Sequence, residues 1–233
     1  MPVLEILTSS GFGSLLGMRH ALEPDHLAAV STLLGRERNH YKAAMLGAWW
    51  GIGHTCSLLV VGTALVLLRA EMPARAADVF ELGVSVMLIV LGARTVLGAA
   101  RAGHHGPSRV HQHGGRMHQH AGLPAHVHIG RWTFAQRPLI IGAIHGLAGS
   151  GALTALVLAT LPSLGAQLTY MALFGVGSTV GMATLSGLLG WPLARLSAHH
   201  TVSRGIALAV GGLSASLGLF WGYPLILRIA QAS

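Results

Sequence analysis

The sequence predicts an all-α polytopic membrane protein, and two features of its composition support that prediction. Of the 233 residues, 52% are hydrophobic and only 9% are charged, whereas soluble domains carry about 25% charged residues. Apolar stretches of about twenty residues or more alternate with short basic segments, as is typical of helices that cross a bilayer. We therefore predict six transmembrane helices, over residues 3–34, 43–68, 79–100, 138–161, 166–190 and 205–228.

The basic residues predict how these helices are oriented. Ten of the fifteen Lys and Arg residues lie around 36–42, 101–137 and 195–204, at one end of the predicted helices. The positive-inside rule assigns that end to the cytoplasm and both termini to the outside. The net charge of +8 is then mainly a topology signal, and we expect no nucleic-acid binding. A disulfide framework is excluded because Cys56 is the only cysteine.

Two halves of the sequence resemble each other. The segment "LLGMRHAL" (15–22) aligns with "IIGAIHGL" (140–147), so that His20 matches His145, and "GIGHT" (51–55) aligns with "GVGST" (175–179). The offsets, including a weaker match of 91–92 with 217–218, are 124 to 126. An odd number of spans in each half predicts a 3+3 inverted repeat, with halves at 1–101 and 137–233. Chance matching of common Gly and Leu residues is the alternative.

The segment between the halves, 102–136, has a different composition. It is rich in Gly, Pro and Gln and has few large apolar residues, so we expect a disordered cytoplasmic loop. Flexible imidazoles suit exchangeable binding of nickel, cobalt or zinc, and a solvated linker without a metal role is the alternative. The loop histidines are His104, His105, His111, His113, His118, His120, His126 and His128.

The stretch "GMRHALEPDHLAAV" (17–30) gathers histidines and carboxylates within the apolar first span. On an unbroken helix, His20 and His26 would point about 120° apart. Pro24 favours a break, because its ring clashes with the carbonyl four residues earlier and leaves that carbonyl of His20 without its helical partner. A second half-helix would then begin near Pro24, with Asp25 at its amino end, where the helix dipole favours a carboxylate.

The corresponding stretch of the second half, "HGLAGSGAL" (145–153), predicts a break in the fourth helix as well. It has no proline, but Gly149 and Gly151 stand where a break would fall. Interrupted segments at matching places in two halves are typical of the central binding site of a transporter.

The polar residues in these spans predict a cation site. A carboxylate at mid-membrane costs about 2.5–3.5 kcal/mol on insertion scales, and a divalent cation bound by oxygen and neutral imidazole nitrogen would offset that cost. The candidate metal ligands are His20, Asp25, His26, His54 and His145. The alternatives are an ion pair of Arg19 with Glu23 or Asp25, and purely structural roles for the histidines.

These motifs resemble those of the nickel/cobalt transporter family, the NiCoT/NicO superfamily. "RHALEPDH" (19–26) is similar to its His-Ala-x-x-x-Asp-His signature, "GIGHT" to its second motif, and "HGLAGSGALTAL" (145–156) to the fourth-span motif of the six-span, UreH-like branch. The resemblance implies a transporter, not an enzyme, with Ni²⁺ or Co²⁺ as substrate and no cofactor. It also implies a bacterial inner membrane and a urease or hydrogenase maturation context, with His20, Asp25, His26 and His54 at the site.

The departures from the family pattern bear on mechanism and direction. Larger members have eight spans and an aspartate in the fourth-span motif, whereas this chain has no acidic residue between 138 and 204. The efflux branch tends to read His-Gly-Leu-Glu-Pro-Gly-His, and Asp25 replaces its second glycine here. We therefore expect uptake, with efflux as the alternative. An anion exporter, suggested by Arg19 and Arg94, and a membrane metalloenzyme remain further alternatives, and the oligomeric state stays open.

Overall fold

The computed structural model describes residues 2–34, 39–101, 110–113, 116–119, 127–129, 132–134, 136–196 and 200–231. Over these residues it contains seven helices: α1 (Pro2–His20), α2 (Pro24–Leu34), α3 (His40–Leu68), α4 (Ala74–Arg101), α5 (Gln136–Thr160), α6 (Leu164–Leu196) and α7 (His200–Gln231). Four short strands lie between α4 and α5: β1 (Val110–His113), β2 (Arg116–Gln119), β3 (Val127–Ile129) and β4 (Trp132–Phe134).

The predicted break in the first span is confirmed. Helix α1 ends at His20 and α2 begins at Pro24, which has no N–H and is tolerated in the first turn of a helix. The chain turns so that the Glu23 N–H donates to the His20 carbonyl at 3.0 Å, and the Leu27 N–H then donates to the Glu23 carbonyl at 3.0 Å. The expectation of a freed carbonyl at His20 is therefore wrong, because the turn supplies a new donor.

The predicted break in the fourth helix is also wrong. Helix α5 runs from Gln136 to Thr160 without interruption and includes Gly149 and Gly151. Glycine lowers helix propensity, but unlike proline it keeps its N–H and has no ring to clash with the preceding turn. The helical hydrogen bonds of α5 therefore continue through both glycines.

The outer surface of the helix assembly is apolar. Among the described residues, five helices are long and apolar enough to cross a bilayer, namely α3, α4, α5, α6 and α7, and the two parts of the predicted first span are not among them. Large apolar side chains point outward, including Val60 (71% exposed), Leu68 (74%) and Phe220 (74%). Such a surface suits lipid, and it supports a multi-pass membrane protein.

Helices α3 and α6 pack against each other over much of their length. Helix α1 packs on α6, α5 packs on α3, and α4 pairs with α7. Three further contacts, of α2 with α7, of α2 with α4 and of α5 with α4, join the α4–α7 pair to the rest. Each half of the sequence therefore packs mainly against the other half.

Glycines allow α1 and α5 to approach α6 and α3 closely. A Cβ atom at Gly17 of α1 would overlap the Phe174 carbonyl of α6, and a Cβ atom at Gly142 of α5 would overlap the Trp50 carbonyl of α3. Small residues at such crossings let helix backbones pack by van der Waals contact, which is the main attraction between helices in lipid.

The contact between α3 and α6 is also built from small residues. Thr55 Oγ1 donates to the Gly175 carbonyl at 2.8 Å and lies 2.9 Å from Thr179 Oγ1. A Cβ atom at Gly51 would meet Thr179, and a Cβ atom at Gly175 would meet Thr55. The "GIGHT" and "GVGST" segments therefore face each other.

The segment between α4 and α5 was predicted to be disordered, but its described residues form short strands. Strand β1 pairs with β2, and β3 pairs with β4, both antiparallel. Such pairing satisfies backbone groups that a disordered chain leaves to water. The backbones of His111, His113, His118 and His128 lie in these strands, whereas His104, His105, His120 and His126 lie outside the described residues.

We expect Gly92→Ala to destabilise the α4–α7 pair. A Cβ atom at Gly92 would overlap the Gly211 carbonyl, and such overpacking typically costs about 1–3 kcal/mol. The measurement is the thermal unfolding midpoint in detergent, which should fall by several degrees. Gly83→Ala, on the same helix, is the matched control because no described atom lies within 4 Å of that Cβ position, and its midpoint should not fall.

Candidate metal centre

The five predicted ligands come from four helices. His20 is the last residue of α1, Asp25 and His26 lie in the first turn of α2, His54 lies in the middle of α3, and His145 lies in the first half of α5. The break after His20 allows α2 to present His26 toward the same interior point as the end of α1. The structure brings all five residues together.

His26 is the centre of the cluster. Its ring centroid lies 4.5 Å from that of His20, 4.1 Å from that of His145 and 5.5 Å from that of His54. The rings of His20 and His54 are 5.2 Å apart, and those of His54 and His145 are 6.0 Å apart. His26 and His54 are fully buried. The cluster is therefore compact and largely closed to solvent.

Two groups of side chains have the spacing of a metal site. One group consists of His20, His26 and His54, and the other of Asp25, His26 and His145. In each group, one nitrogen or oxygen atom from every residue lies within 4.8 Å of the others. Both groups include His26, so the two candidate positions for a cation share one ligand.

Two carboxylates hold three of the imidazoles in position. Asp25 Oδ1 lies 3.0 Å from His26 Nδ1, and Asp25 Oδ2 lies 2.7 Å from His145 Nε2. Glu23 Oε1 lies 2.9 Å from His20 Nδ1. A carboxylate that accepts from the Nδ1–H of a histidine fixes its orientation and tautomer, and leaves the Nε2 lone pair for a metal. Both His20 and His26 have this arrangement.

Several buried nitrogens of the cluster have no hydrogen-bond partner among the described residues. They are His20 Nε2, His26 Nε2, both ring nitrogens of His54 and His145 Nδ1. A buried polar group without a partner typically costs about 1–3 kcal/mol. Borderline divalent cations bind imidazole nitrogen well. The donor set therefore suits a divalent transition metal better than an alkali or alkaline-earth ion.

Aromatic side chains flank the cluster on two sides, and the sequence analysis did not identify them. The ring centroid of Phe174 lies 5.4 Å from that of His20, and that of Trp50 lies 5.8 Å from that of His145. Their positions in the sequence could have identified them, because each aromatic residue directly precedes one of the matching "GIGHT" and "GVGST" segments. These rings contribute to the apolar surroundings of the imidazoles.

Gly149 borders the cluster instead of breaking α5. A Cβ atom at this position would lie 4.0 Å from both His20 Nε2 and His54 Cε1, which is ordinary van der Waals distance. A larger side chain would reach toward the nitrogens that a cation would need. The glycine therefore contributes space beside the group formed by His20, His26 and His54.

The alternative of an ion pair with Arg19 finds no support in the geometry. Within the described part of the chain, Glu23 and Asp25 pair with histidines, and the Arg19 side chain is exposed. The two carboxylates also differ in burial, since the Glu23 side chain is 53% exposed and that of Asp25 only 14%. Asp25 therefore belongs to the interior of the cluster, and Glu23 lies at its edge.

Known proteins resemble this chain over almost its full length. The relatives include a urease accessory protein, UreH, of Bacillus sp. (strain TB-90), which is 29% identical over 97% of this chain and 95% of the relative. Two chloroplast proteins of Arabidopsis thaliana, FOR GROWTH AND FERTILITY 2 and 1, are 27% and 29% identical over 95% and 94% of this chain. The chain spans 59% and 61% of the length of those two plant proteins. No solved structure matches.

The family model NicO, described as high-affinity nickel-transport protein, matches residues 7–217. That range contains the complete histidine cluster and parts of all seven helices. The resemblance seen in the sequence motifs is confirmed, and the chain is a transporter rather than an enzyme. The chain belongs to the NicO family of high-affinity nickel-transport proteins.

Proposed function

We propose that this protein carries Ni²⁺ into the cell across the bacterial inner membrane, with Co²⁺ as a second substrate, through the cluster of His20, Asp25, His26, His54 and His145. The observation that carries the proposal is the convergence of His20, His26 and His54 with buried nitrogens that lack a hydrogen-bond partner among the described residues. A divalent cation that binds these nitrogens would offset the cost of burying them.

The carboxylate of Asp25 gives the site its negative charge. Neutral imidazoles alone would not compensate the charge of a cation in the apolar interior, whereas Asp25 lies within hydrogen-bonding distance of two of them. We assign Asp25 two roles, as an anionic partner of the cation and as the group that orients His26. Its replacement of the glycine found in the efflux branch underlies our choice of uptake as the direction.

The inverted repeat is part of the proposal, with α1 and α2 counted together as the first span. The helix contacts support it because contacts made by the first half recur in the second half, between residues shifted by the offset of the sequence repeat. Gly17 on Phe174 corresponds to Gly142 on Trp50, with both partners shifted by 124 or 125 positions. The packing of α1 on α6 likewise corresponds to that of α5 on α3, and the contact of α2 with α7 to that of α5 with α4. Rocking of two such halves around a fixed site is a common mechanism of secondary transporters.

The segment 102–136 is the accessory part of the proposal. We propose that its histidines bind the ion weakly on the cytoplasmic side and deliver it toward urease or hydrogenase maturation. The similarity to a protein named for its role as a urease accessory protein supports this context. The orientation rests on the basic residues, ten of which flank this side of the helices.

We expect Asp25→Asn and His26→Ala to abolish accumulation of radioactive nickel in cells that produce the protein. An asparagine cannot accept from both His26 and His145 or carry the charge, and loss of such an orienting group typically costs about 10- to 100-fold in metal affinity. His40→Ala is the matched control, since His40 is an exposed histidine at the start of α3. Equal amounts of each variant in the membrane must be shown by immunoblotting, and normal accumulation by either site variant would contradict the proposed function.

We expect Gly149→Leu to block nickel accumulation although no ligand is changed. The longer side chain would extend from a position only 4.0 Å from His20 Nε2 and His54 Cε1 and would take the space that the cation needs. Gly149→Ala is the matched control, because its single methyl group fits at van der Waals distance. Transport should remain within about twofold for Ala and fall to background for Leu, because extra methylene groups in a packed interior displace the neighbouring side chains. Equal transport by the two variants would show that the cation does not bind beside Gly149.

A further inference from the structure

The two candidate ligand groups share one residue and differ in all others. We propose that the cation passes between them in sequence, from an outer station (His20, His26 and His54) to an inner station (Asp25, His26 and His145), with His26 as a ligand in both. This inference rests on the proposed function and extends it by giving His145 a transport step of its own.

In each station, one of the three residues is partly exposed and the other two are buried. The outer station has one partly exposed member, the His20 side chain at 16%, and the inner station has one, Asp25 at 14%. The shared member, His26, is fully buried. Within each station the accessible surface therefore belongs mainly to a residue that the other station does not use, and the two stations meet at the buried His26.

The internal repeat relates the two stations to each other. His20 and His145 occupy matching positions, 125 residues apart, and each has the matching aromatic residue beside it, Phe174 for His20 and Trp50 for His145. In an inverted repeat, an axis in the membrane plane places matching residues at equal depth on opposite sides of the midplane. His20 would then serve the outer side and His145 the cytoplasmic side, with His26 between them.

The two stations offer different chemistry to the ion. The outer station presents three imidazoles, two of which already have Nδ1 on a carboxylate and Nε2 without a partner among the described residues. The inner station presents an anionic oxygen between two imidazoles, where hydrogen bonds of 3.0 and 2.7 Å now join the ligands. A cation moving inward would displace the ring protons of His26 Nδ1 and His145 Nε2 to the opposite ring nitrogens, His26 Nε2 and His145 Nδ1, which have no partner among the described residues. It would then gain the carboxylate as a direct ligand. Because His26 is shared, only one ion can be held at a time.

The decisive variant is His145→Gln, with His145→Ala beside it. The glutamine amide can still donate to Asp25, as His145 Nε2 does at 2.7 Å, but it is a poor ligand for Ni²⁺. The purified variants are tested for Ni²⁺ binding by equilibrium dialysis in detergent and for radioactive nickel uptake in proteoliposomes. After subtraction of the Ni²⁺ bound by residues 104–128, measured with a deletion variant, we expect one Ni²⁺ per wild-type chain. We expect Ni²⁺ binding by His145→Gln within about threefold of wild type, and uptake by both variants at least about tenfold slower.

Two outcomes would overturn the two-station relay, that is, the passage of the cation from the outer to the inner station. Normal uptake by His145→Gln would show that His145 only positions Asp25, because the retained hydrogen bond would then suffice. Loss of Ni²⁺ binding in His145→Gln to the same degree as in His20→Ala would show a single site with all the histidines in it. Two Ni²⁺ ions per wild-type chain, after subtraction of those bound by residues 104–128 in a deletion variant, would also contradict a shared His26.

A separate variant distinguishes failure of the relay from failure of the proposed function. His26→Ala removes the residue common to both stations, so it should lose Ni²⁺ binding and uptake together. If His26→Ala retains both, the proposed transport site is wrong, whatever the behaviour of His145. If His26→Ala loses both while His145→Gln transports normally, the site stands and the two-station relay is wrong.

Discussion

The carboxylate of Asp25 connects the interrupted first span to the rest of the molecule. Its two oxygens reach His26 Nδ1 on the same half-helix and His145 Nε2 on α5, at 3.0 and 2.7 Å. A carboxylate in an apolar interior is stable only when its oxygens have partners. The same contacts orient both imidazoles, so the burial of one charge fixes the geometry of the cluster. The position of α2, the tautomer of His26 and the direction of its Nε2, which has no partner among the described residues, all depend on this interaction.

The convergence of the histidines also depends on how closely the helices approach. Rings on α1, α2, α3 and α5 can lie 4–6 Å apart only if the backbones that carry them are in near contact. Glycines at Gly17, Gly142 and Gly53 permit this, because a Cβ atom at each would overlap a carbonyl oxygen of the facing helix. In lipid, where apolar association gains little from water release, such packing is itself a main source of stability. The packing that stabilises the fold therefore also assembles the candidate site.

Proline alone does not explain the break in the first span. Pro192 and Pro224 lie inside α6 and α7, which continue through them, whereas the chain turns out of the helix before Pro24. The difference lies in the neighbours of Pro24. Glu23 and Asp25 each find a histidine partner when the helix ends at His20, and the turn satisfies the His20 carbonyl with the Glu23 N–H. Hydrogen bonds outside the helix replace those lost within it, so the interrupted conformation is favoured here.

The sequence by itself determined the helical class, the break at Pro24 and the identity of the five clustered residues, because hydropathy, a missing N–H and unusual intramembrane polar residues are local properties. It misjudged α5, where Gly149 and Gly151 keep the helical hydrogen bonds that a proline would remove, and it overlooked Trp50 and Phe174. It left open an ion pair of Arg19 with Glu23 or Asp25, whereas in the structure both carboxylates pair with histidines, because the turn after His20 presents them to the imidazoles. The tertiary structure decided that Asp25 bridges His26 and His145, because residues 120 positions apart meet only through helix packing.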